Sequence, residues 1–176
     1  MFEEIQLRPA EKSDLLQLSR LVNSAYRGDV SRQGWTTEAD LLDGQRTDAE
    51  SLSEMLGDQQ FILLAESRSK DLLGCVFLKN KSQDLAYLGM LTVKPDQQAN
   101  GLGKKILAAG ENFAREQWRS KKMEMTVISI RQELIEWYER RGYKNTWRSE
   151  DFPYGNIRFG QPKRDDLKFV ILEKNL

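Results

Sequence analysis

Residues 91 to 105 read Leu91-Thr92-Val93-Lys94-Pro95-Asp96-Gln97-Gln98-Ala99-Asn100-Gly101-Leu102-Gly103-Lys104-Lys105. A strand ends at Pro95, two glycines let the chain turn tightly, and a helix begins at about Gly103. Several backbone N–H groups therefore converge at the positive end of a helix dipole, an arrangement that holds phosphate. Three phosphate loops compete for such a stretch, and spacing separates them. A Walker A loop needs Gly-x4-Gly-Lys followed by Ser or Thr, but here Gln98 stands where the first glycine belongs and Lys105 where the hydroxyl belongs. A dinucleotide fingerprint starting at Gly101-Leu102-Gly103 meets Ile106 in place of its third glycine. It also needs a parallel sheet, which the hairpin-like first half does not offer. The third form, a pyrophosphate loop Gln/Arg-x-x-Gly-x-Gly/Ala, is matched at each fixed position by Gln98-Ala99-Asn100-Gly101-Leu102-Gly103.

Upstream, Phe61 to Glu66, Leu72 to Lys79 and Leu85 to Val93 read as strands, with Ser-, Lys- and Asp-rich breaks whose spacing predicts consecutive antiparallel hairpins. Further back, Ile5 to Arg8 is a short strand stopping at Pro9. A helix with Ser13 as its N-cap then puts Leu15, Leu18, Leu21, Val22 and Ala25 on one face and ends near Tyr26-Arg27-Gly28. Residues 28 to 47 are polar and loop-like, except for a helical turn at Trp35 to Leu42 that Thr36 or Thr37 caps. Asp48 opens a short helix to Leu56, closed by Gly57. Downstream of the glycine loop, a helix carries Leu102, Ile106, Leu107, Gly110, Phe113 and Ala114 as its inner stripe. Met123 to Ser129 is a strand, Gln132 to Arg141 a helix with Gly142 at its end, and strands lie around 143–148 and 168–173. No repeat, low-complexity tract or linker divides residues 1–176, so the chain reads as one α/β unit.

A chain of 176 residues can bury one substantial core. Its 27 basic residues balance 27 acidic ones, leaving no excess cation for a phosphate backbone or an anionic membrane, so neither nucleic acid nor membrane is an expected partner. The only cysteine, Cys75, lies in an apolar run, as a packed thiol does. There is no histidine, which excludes Ser-His-Asp and Cys-His chemistry and argues against a metal site. Catalysis must then use carboxylates, Tyr, Lys, backbone amides or ordered water. The first residues have neither a basic n-region nor an apolar h-region, and no stretch is apolar enough to span a bilayer, so the cytoplasm is the expected compartment.

Taken in order, these elements resemble the GNAT superfamily of N-acetyltransferases. The resemblance covers nearly the whole chain: the Ile5-Gln6-Leu7-Arg8-Pro9-Ala10 start and first helix, the Leu91 to Pro95 strand end, the pyrophosphate loop, and the Trp137-Tyr138-Glu139-Arg140-Arg141-Gly142-Tyr143 helix end. It implies the α/β (α+β mixed) GNAT acyl-CoA N-acyltransferase fold, a mostly antiparallel sheet with a splayed parallel strand pair, flanked by helices. It also implies acetyl-CoA (coenzyme A) as cofactor. The backbone of Met90, Leu91, Thr92 and Val93 would bind the pantetheine arm, and the amides of Gln98, Ala99, Asn100, Gly101, Leu102, Gly103 and Lys104 the pyrophosphate. An amide in Gly89-Met90-Leu91 would steady the oxyanion, as in relatives.

The resemblance further gives Tyr138 the role of proton donor to the departing thiolate, in an acetyltransferase working by direct attack of an amine on the thioester. The other reading of Tyr138 is a packed aromatic on the Leu134 face. Where relatives often carry Asn, seven residues earlier, this chain has Arg131, so that Asn's contacts do not carry over. Glu38 is a candidate base acting through a water, or else a helix-start acid facing the dipole. Tyr26, Arg27, Trp35, Tyr87 and Tyr154 either line an acceptor cleft or belong to the core or a cap on it. The expected acceptor is a small-molecule or peptide amine, and the acids Glu38, Asp40, Asp43, Glu50 and Glu54 lean it towards a small cation. Aromatics near Phe152 to Phe159 could pair two subunits as a homodimer. A non-catalytic acyl-CoA sensor or interaction module would keep the loop and lose the proton donor, which Tyr138 argues against.

Overall fold

Successive side chains of a strand point to opposite faces, and in β3 (Gln60–Glu66) and β4 (Leu72–Ser82) both faces are apolar. Leu63, Ala65, Val76 and Leu78 point one way, while Ile62, Leu64, Cys75 and Phe77 point the other. Such a sheet must be covered on both sides. The computed structural model, which describes residues 4–176, shows how. α1 (Leu15–Tyr26) and α3 (Ala49–Glu54) pack on the Ile62 side. α4 (Leu102–Gln117) and α5 (Gln132–Glu139) pack on the Leu63 side.

With β1 (Gln6–Pro9), β5 (Leu85–Val93), β6 (Lys122–Ile128), β7 (Lys144–Asp151) and β9 (Lys168–Asn175), the main sheet has the order β1-β3-β4-β5-β6-β9-β7. Its neighbours are antiparallel apart from β5 and β6, which run parallel and pair only from Leu85↔Lys122 to Tyr87↔Glu124. The expected hairpins and the splayed parallel pair are both present.

β5 carries a bulge that the apolar pattern conceals. Cys75 pairs with Thr92 and Phe77 with Gly89, so two steps on β4 face three on β5, and Met90 adopts φ 51°. The extra residue flips the parity of the strand. Ala86 and Leu88 face α4 before it, Leu91 and Val93 after it, while Met90 turns to the α1 side.

Several local expectations are corrected. Ser13 lies inside a 3₁₀ turn, Lys12–Asp14, rather than capping α1. The turn is closed by the Asp14 carboxylate, which accepts from the Glu11 N–H at 2.8 Å. The stretch 28–47 is less loop-like than its polarity implies: it holds α2 (Gly28–Ser31) and β2 (Leu42–Asp43), the latter paired with β8 (Gln161–Pro162) in a separate ribbon. Thr37 does cap the turn after it, its hydroxyl accepting from Ala39 N–H at 3.1 Å. Asp48 caps α3 through Ser51 N–H at 2.7 Å. Phe152 is buried against Ile128 and Leu167, so it is not part of an exposed aromatic surface.

Arg8 ties the first strand to the first helix, donating to both Asp14 oxygens at 2.8 Å and to Glu66 at 2.6 and 3.1 Å. The hydrogen bond from Arg8 holds the Asp14 carboxyl below its ordinary value, against the opposing effect of burial. A depressed folded pKa stabilises the fold above the unfolded value, about 4, and the gain is lost as the pH falls through the folded one. Asp14→Asn should therefore melt below the wild type at pH 7, with the gap closing as the pH is lowered below about 4. Thermal unfolding followed by circular dichroism across pH reads this, and a pH-independent gap would show that charge is not the cause.

Candidate active site

Past Tyr87, β5 and β6 part, and two cavities occupy the region that opens. The first, about 300 Å³, lies between the strands: Tyr87 and Met90 come from β5, Thr126 from β6 and Phe152 from the segment after β7. The second, about 220 Å³, runs from β5 to the glycine loop. Both are bounded by Tyr26, Leu91, Leu134 and Tyr138, so the two spaces meet at these four side chains.

The loop has the geometry that the sequence predicts. Ala99 and Gly101 take φ 68° and 80°, a region that favours glycine, and Gly101 stands immediately before α4. The first bond into the helix runs from Lys105 N–H to Gly101 C=O at 3.2 Å. The N–H groups of Leu102, Gly103 and Lys104 precede it and point out of the helix end. Gly103 packs close, a Cβ there lying 3.5 Å from Val93 and 3.7 Å from Trp137.

Of the loop and strand residues singled out in the sequence, Leu91, Val93, Gln98, Ala99, Gly101, Gly103 and Lys104 line the second cavity. Met90 lines the first. Thr92, Asn100 and Leu102 line neither. Thr92 is buried with its hydroxyl on Met90 C=O at 3.0 Å, Leu102 points into the core, and Asn100 is exposed.

Gln98 departs from the expected pattern. Its N–H is already spent on Pro95 C=O at 3.4 Å, because a 3₁₀ turn, Pro95–Gln97, precedes it. Its side chain is a brace instead. Oε1 accepts from Trp35 and Thr36 N–H at 2.9 and 3.3 Å, and Nε2 donates to the Thr36 hydroxyl and Val93 C=O at 2.9 and 3.0 Å. Gly34 leaves the room this requires, since a Cβ there would collide with the Gln98 amide.

Tyr138 sits at the junction within a chain of rings. Trp35 lies 6.1 Å from Trp137, Trp137 lies 5.0 Å from Tyr138, and Tyr138 lies 5.8 Å from Tyr143. Arg141 stacks 3.6 Å above Trp137 and donates to its carbonyl at 2.7 Å. Burial pushes the Tyr138 hydroxyl far above the ordinary tyrosine value, and among the described residues it has no hydrogen-bond partner. Tyr26 is also pushed up, to about 12, first by burial and then by the Glu38 charge, and its hydroxyl donates to Leu91 C=O.

Glu38 lines the first cavity with both oxygens occupied: Oε2 accepts from Arg27 at 3.1 Å and Oε1 from Arg131 at 3.4 Å. Arg27 also donates to Gln45 C=O at 3.0 Å and Arg131 to Thr36 C=O at 2.8 Å. Tyr87 lines the same space, 3.1 Å from the Thr126 hydroxyl, and Trp35 lines the other. Tyr154 reaches neither: it is 45% exposed, its hydroxyl donating to Arg164 C=O and accepting from Leu167 N–H. Pro153 and Phe152 stand at the cavity wall instead.

Of the acidic cluster read from the sequence, Glu38 faces the cavity and the other four do not. Asp40 pairs with Arg32 at 2.9 Å, Asp43 with Lys163 at 3.2 Å, and Glu50 and Glu54 with Arg158 at 3.8 and 3.5 Å, all at the surface. Sequence reasoning missed Arg46 as a lining residue. It raised Arg131 only as a departure from a pattern, which was the available signal. Among the described residues no three His, Cys, Asp or Glu side chains gather where they could hold a metal, and no helix is long and apolar enough to cross a membrane.

A family model described as Acetyltransferase (GNAT) domain matches residues 28–160, more than half of the chain. A comparison with curated proteins found no match. Among solved structures, the ribosomal-protein-S18-alanine N-acetyltransferase from Escherichia coli superposes with a TM-score of 0.70 at 13% identity, covering 98% of this chain and 94% of that one. A GNAT family acetyltransferase from Elizabethkingia anophelis with acetyl-CoA bound gives 0.65 at 15% identity, with 98% of each chain covered. The spermidine/spermine N-acetyltransferase SpeG from Vibrio cholerae gives 0.66 at 16%, covering 98% of this chain and 92% of that one. At such identities the superpositions speak for the fold alone. With the family match and the geometry of the glycine loop, the conclusion is that this chain belongs to the GNAT acetyltransferase family.

Proposed function

We propose that this chain is an N-acetyltransferase that takes acetyl-CoA and acetylates a primary amine, with Tyr138 as proton donor. The observation that carries this reading is the meeting of two cavities at Tyr26, Leu91, Leu134 and Tyr138, one leading to a helix N-terminus and the other opening between splayed strands. Two substrates can occupy the two cavities and react at the junction. Acetyl-CoA supplies an acetyl group activated as a thioester, so transfer forms a C–N bond, breaks the C–S bond and moves a proton from the amine towards the departing sulfur.

The residues present fit that cofactor. The N–H groups of Leu102, Gly103 and Lys104, at the positive end of α4, suit a pyrophosphate. Lys104 and Arg141 add positive charge along the same cavity. The edge of β5 at Leu91 and Val93, unpaired with β6, suits an extended amide-bearing arm. Met90 and Leu91 stand outside the β4 register, and an N–H group there suits stabilisation of charge on the reacting carbonyl. Burial keeps Tyr138 protonated, so its hydroxyl donates. Glu38 already accepts from two guanidiniums, which supports an orienting role for it rather than that of a base.

Two variants test the loop and the donor separately. At φ 80° no proline fits, so Gly101→Pro should abolish the rise in melting temperature that saturating acetyl-CoA gives the wild type. Tyr138→Phe should retain that rise and lose about a hundredfold in kcat, read as free thiol release with a responsive amine. Full activity in Tyr138→Phe would remove it from the chemistry. A wild type that gains no stability from acetyl-CoA would overturn the reading itself.

A further inference from the structure

We infer that the acceptor is a primary amine that also carries an anionic oxygen group, a carboxylate or a phosphorus oxyanion, and that Arg46 binds that group; this rests on the transfer reading above. The charged side chains lining the cavity between β5 and β6 are Arg27, Arg46 and Arg131 against Glu38 alone. Both Glu38 oxygens are taken by Arg27 and Arg131, which also donate to the carbonyls of Gln45 and Thr36. Nothing comparable neutralises Arg46. Its guanidinium meets no acceptor among the described residues, although it is only half-buried and its charge is felt at the Tyr26 hydroxyl and at Arg27.

The position of Arg46 is fixed from behind. Asn23 on α1 accepts from the backbone N–H groups of Arg46 and Thr47 at 2.7 and 3.1 Å and donates to Thr47 C=O at 3.0 Å. A cation held beside another cation in a cavity wall is a site for an incoming anion, and a guanidinium matches the two oxygens of a carboxylate or phosphonate. A cavity of about 300 Å³ suits a small molecule. Tyr87, Thr126 and Tyr138 line the same cavity, so an amine end can reach the junction. A diamine or polyamine meets only repulsion beyond the one carboxylate already paired.

The test compares kcat/KM for α-amino acids with that for their own carboxamides, and for 2-aminoethylphosphonate with that for ethanolamine, with a diamine as the cationic arm. The wild type should favour the anionic member of each accepted pair by about ten- to a hundredfold, and the better pair identifies the oxyanion. Arg46→Ala should collapse that ratio mainly through KM, and Arg46→Lys should restore part of it. Melting temperature and stabilisation by acetyl-CoA verify that the variants are folded and loaded. Equal or better turnover of the carboxamides or the diamine, or an unchanged ratio in Arg46→Ala, overturns this inference alone. Acetyl-CoA binding without turnover of any amine overturns the transfer reading, and this inference with it.

Discussion

Leu88 and Val93 both belong under α4, yet they are an odd number of residues apart, and a regular strand would send them to opposite faces. The structure depends on how that conflict is met. An extra residue at Met90 restores parity at the expense of a positive φ, a strain of about 1–3 kcal/mol for a residue other than glycine. The strain is supported from the α1 side. The Met90 side chain is buried there, and its carbonyl accepts from the Thr92 hydroxyl at 3.0 Å, with the Cys75 thiol at 3.7 Å. The bulge lies where β5 has left β6, three residues beyond the last parallel pair. One local irregularity thus keeps the core closed on the α4 side while the site beside it stays open.

The open side is roofed by residues 34 to 46, a segment with little regular structure of its own. It is held by polar contacts to three separate places: Gln98 in the glycine loop, Arg131 before α5, and Arg27 after α1. The bond from Trp35 is exposed, but those of Thr36, Arg131 and Glu38 draw on buried or half-buried groups, where an unmet hydrogen bond is expensive. The ion pairs of Glu38 follow the same rule. With side-chain exposures of 5% for Arg27, 10% for Glu38 and 9% for Arg131, no member can be removed without stranding another. The roof therefore couples the loop that suits phosphate to the cavity that suits the acceptor, because Trp35 and Thr36 touch the first and Glu38 the second.

Most of the fold was legible because it follows from period and punctuation. Leu85 to Val93 is the extent that β5 has, and the helix after the glycine loop starts at Leu102, one residue before the Gly103 the sequence points to, since apolar runs and Gly or Pro breaks report local geometry directly. The bulge was not legible: Leu85 to Val93 is apolar enough for either parity, and only tertiary packing chooses. Ser13 misled because a capping preference says nothing of Arg8, whose hold on Asp14 sets where the turn closes. The acidic stretch misled for a related reason. Neighbours in sequence were taken as neighbours in the cleft, whereas Asp40, Asp43, Glu50 and Glu54 each found a basic partner at the surface. Tyr154 failed as a cleft residue on the same ground, its hydroxyl being committed to its own loop.

The lack of histidine, read at first as an exclusion, has a positive consequence at the junction. Of the four side chains where the cavities meet, two are apolar and two are tyrosines. Burial moves Tyr26 up to about 12 and Tyr138 further in the same direction. A buried phenol so displaced neither gains nor loses charge near neutrality. On the transfer reading, the junction presents one constant charge state over the neutral range, and the ionisation that governs attack there is that of the acceptor amine. The protein then contributes position, dehydration and a fixed field rather than a titrating base, which is what a chain composed without imidazole can supply.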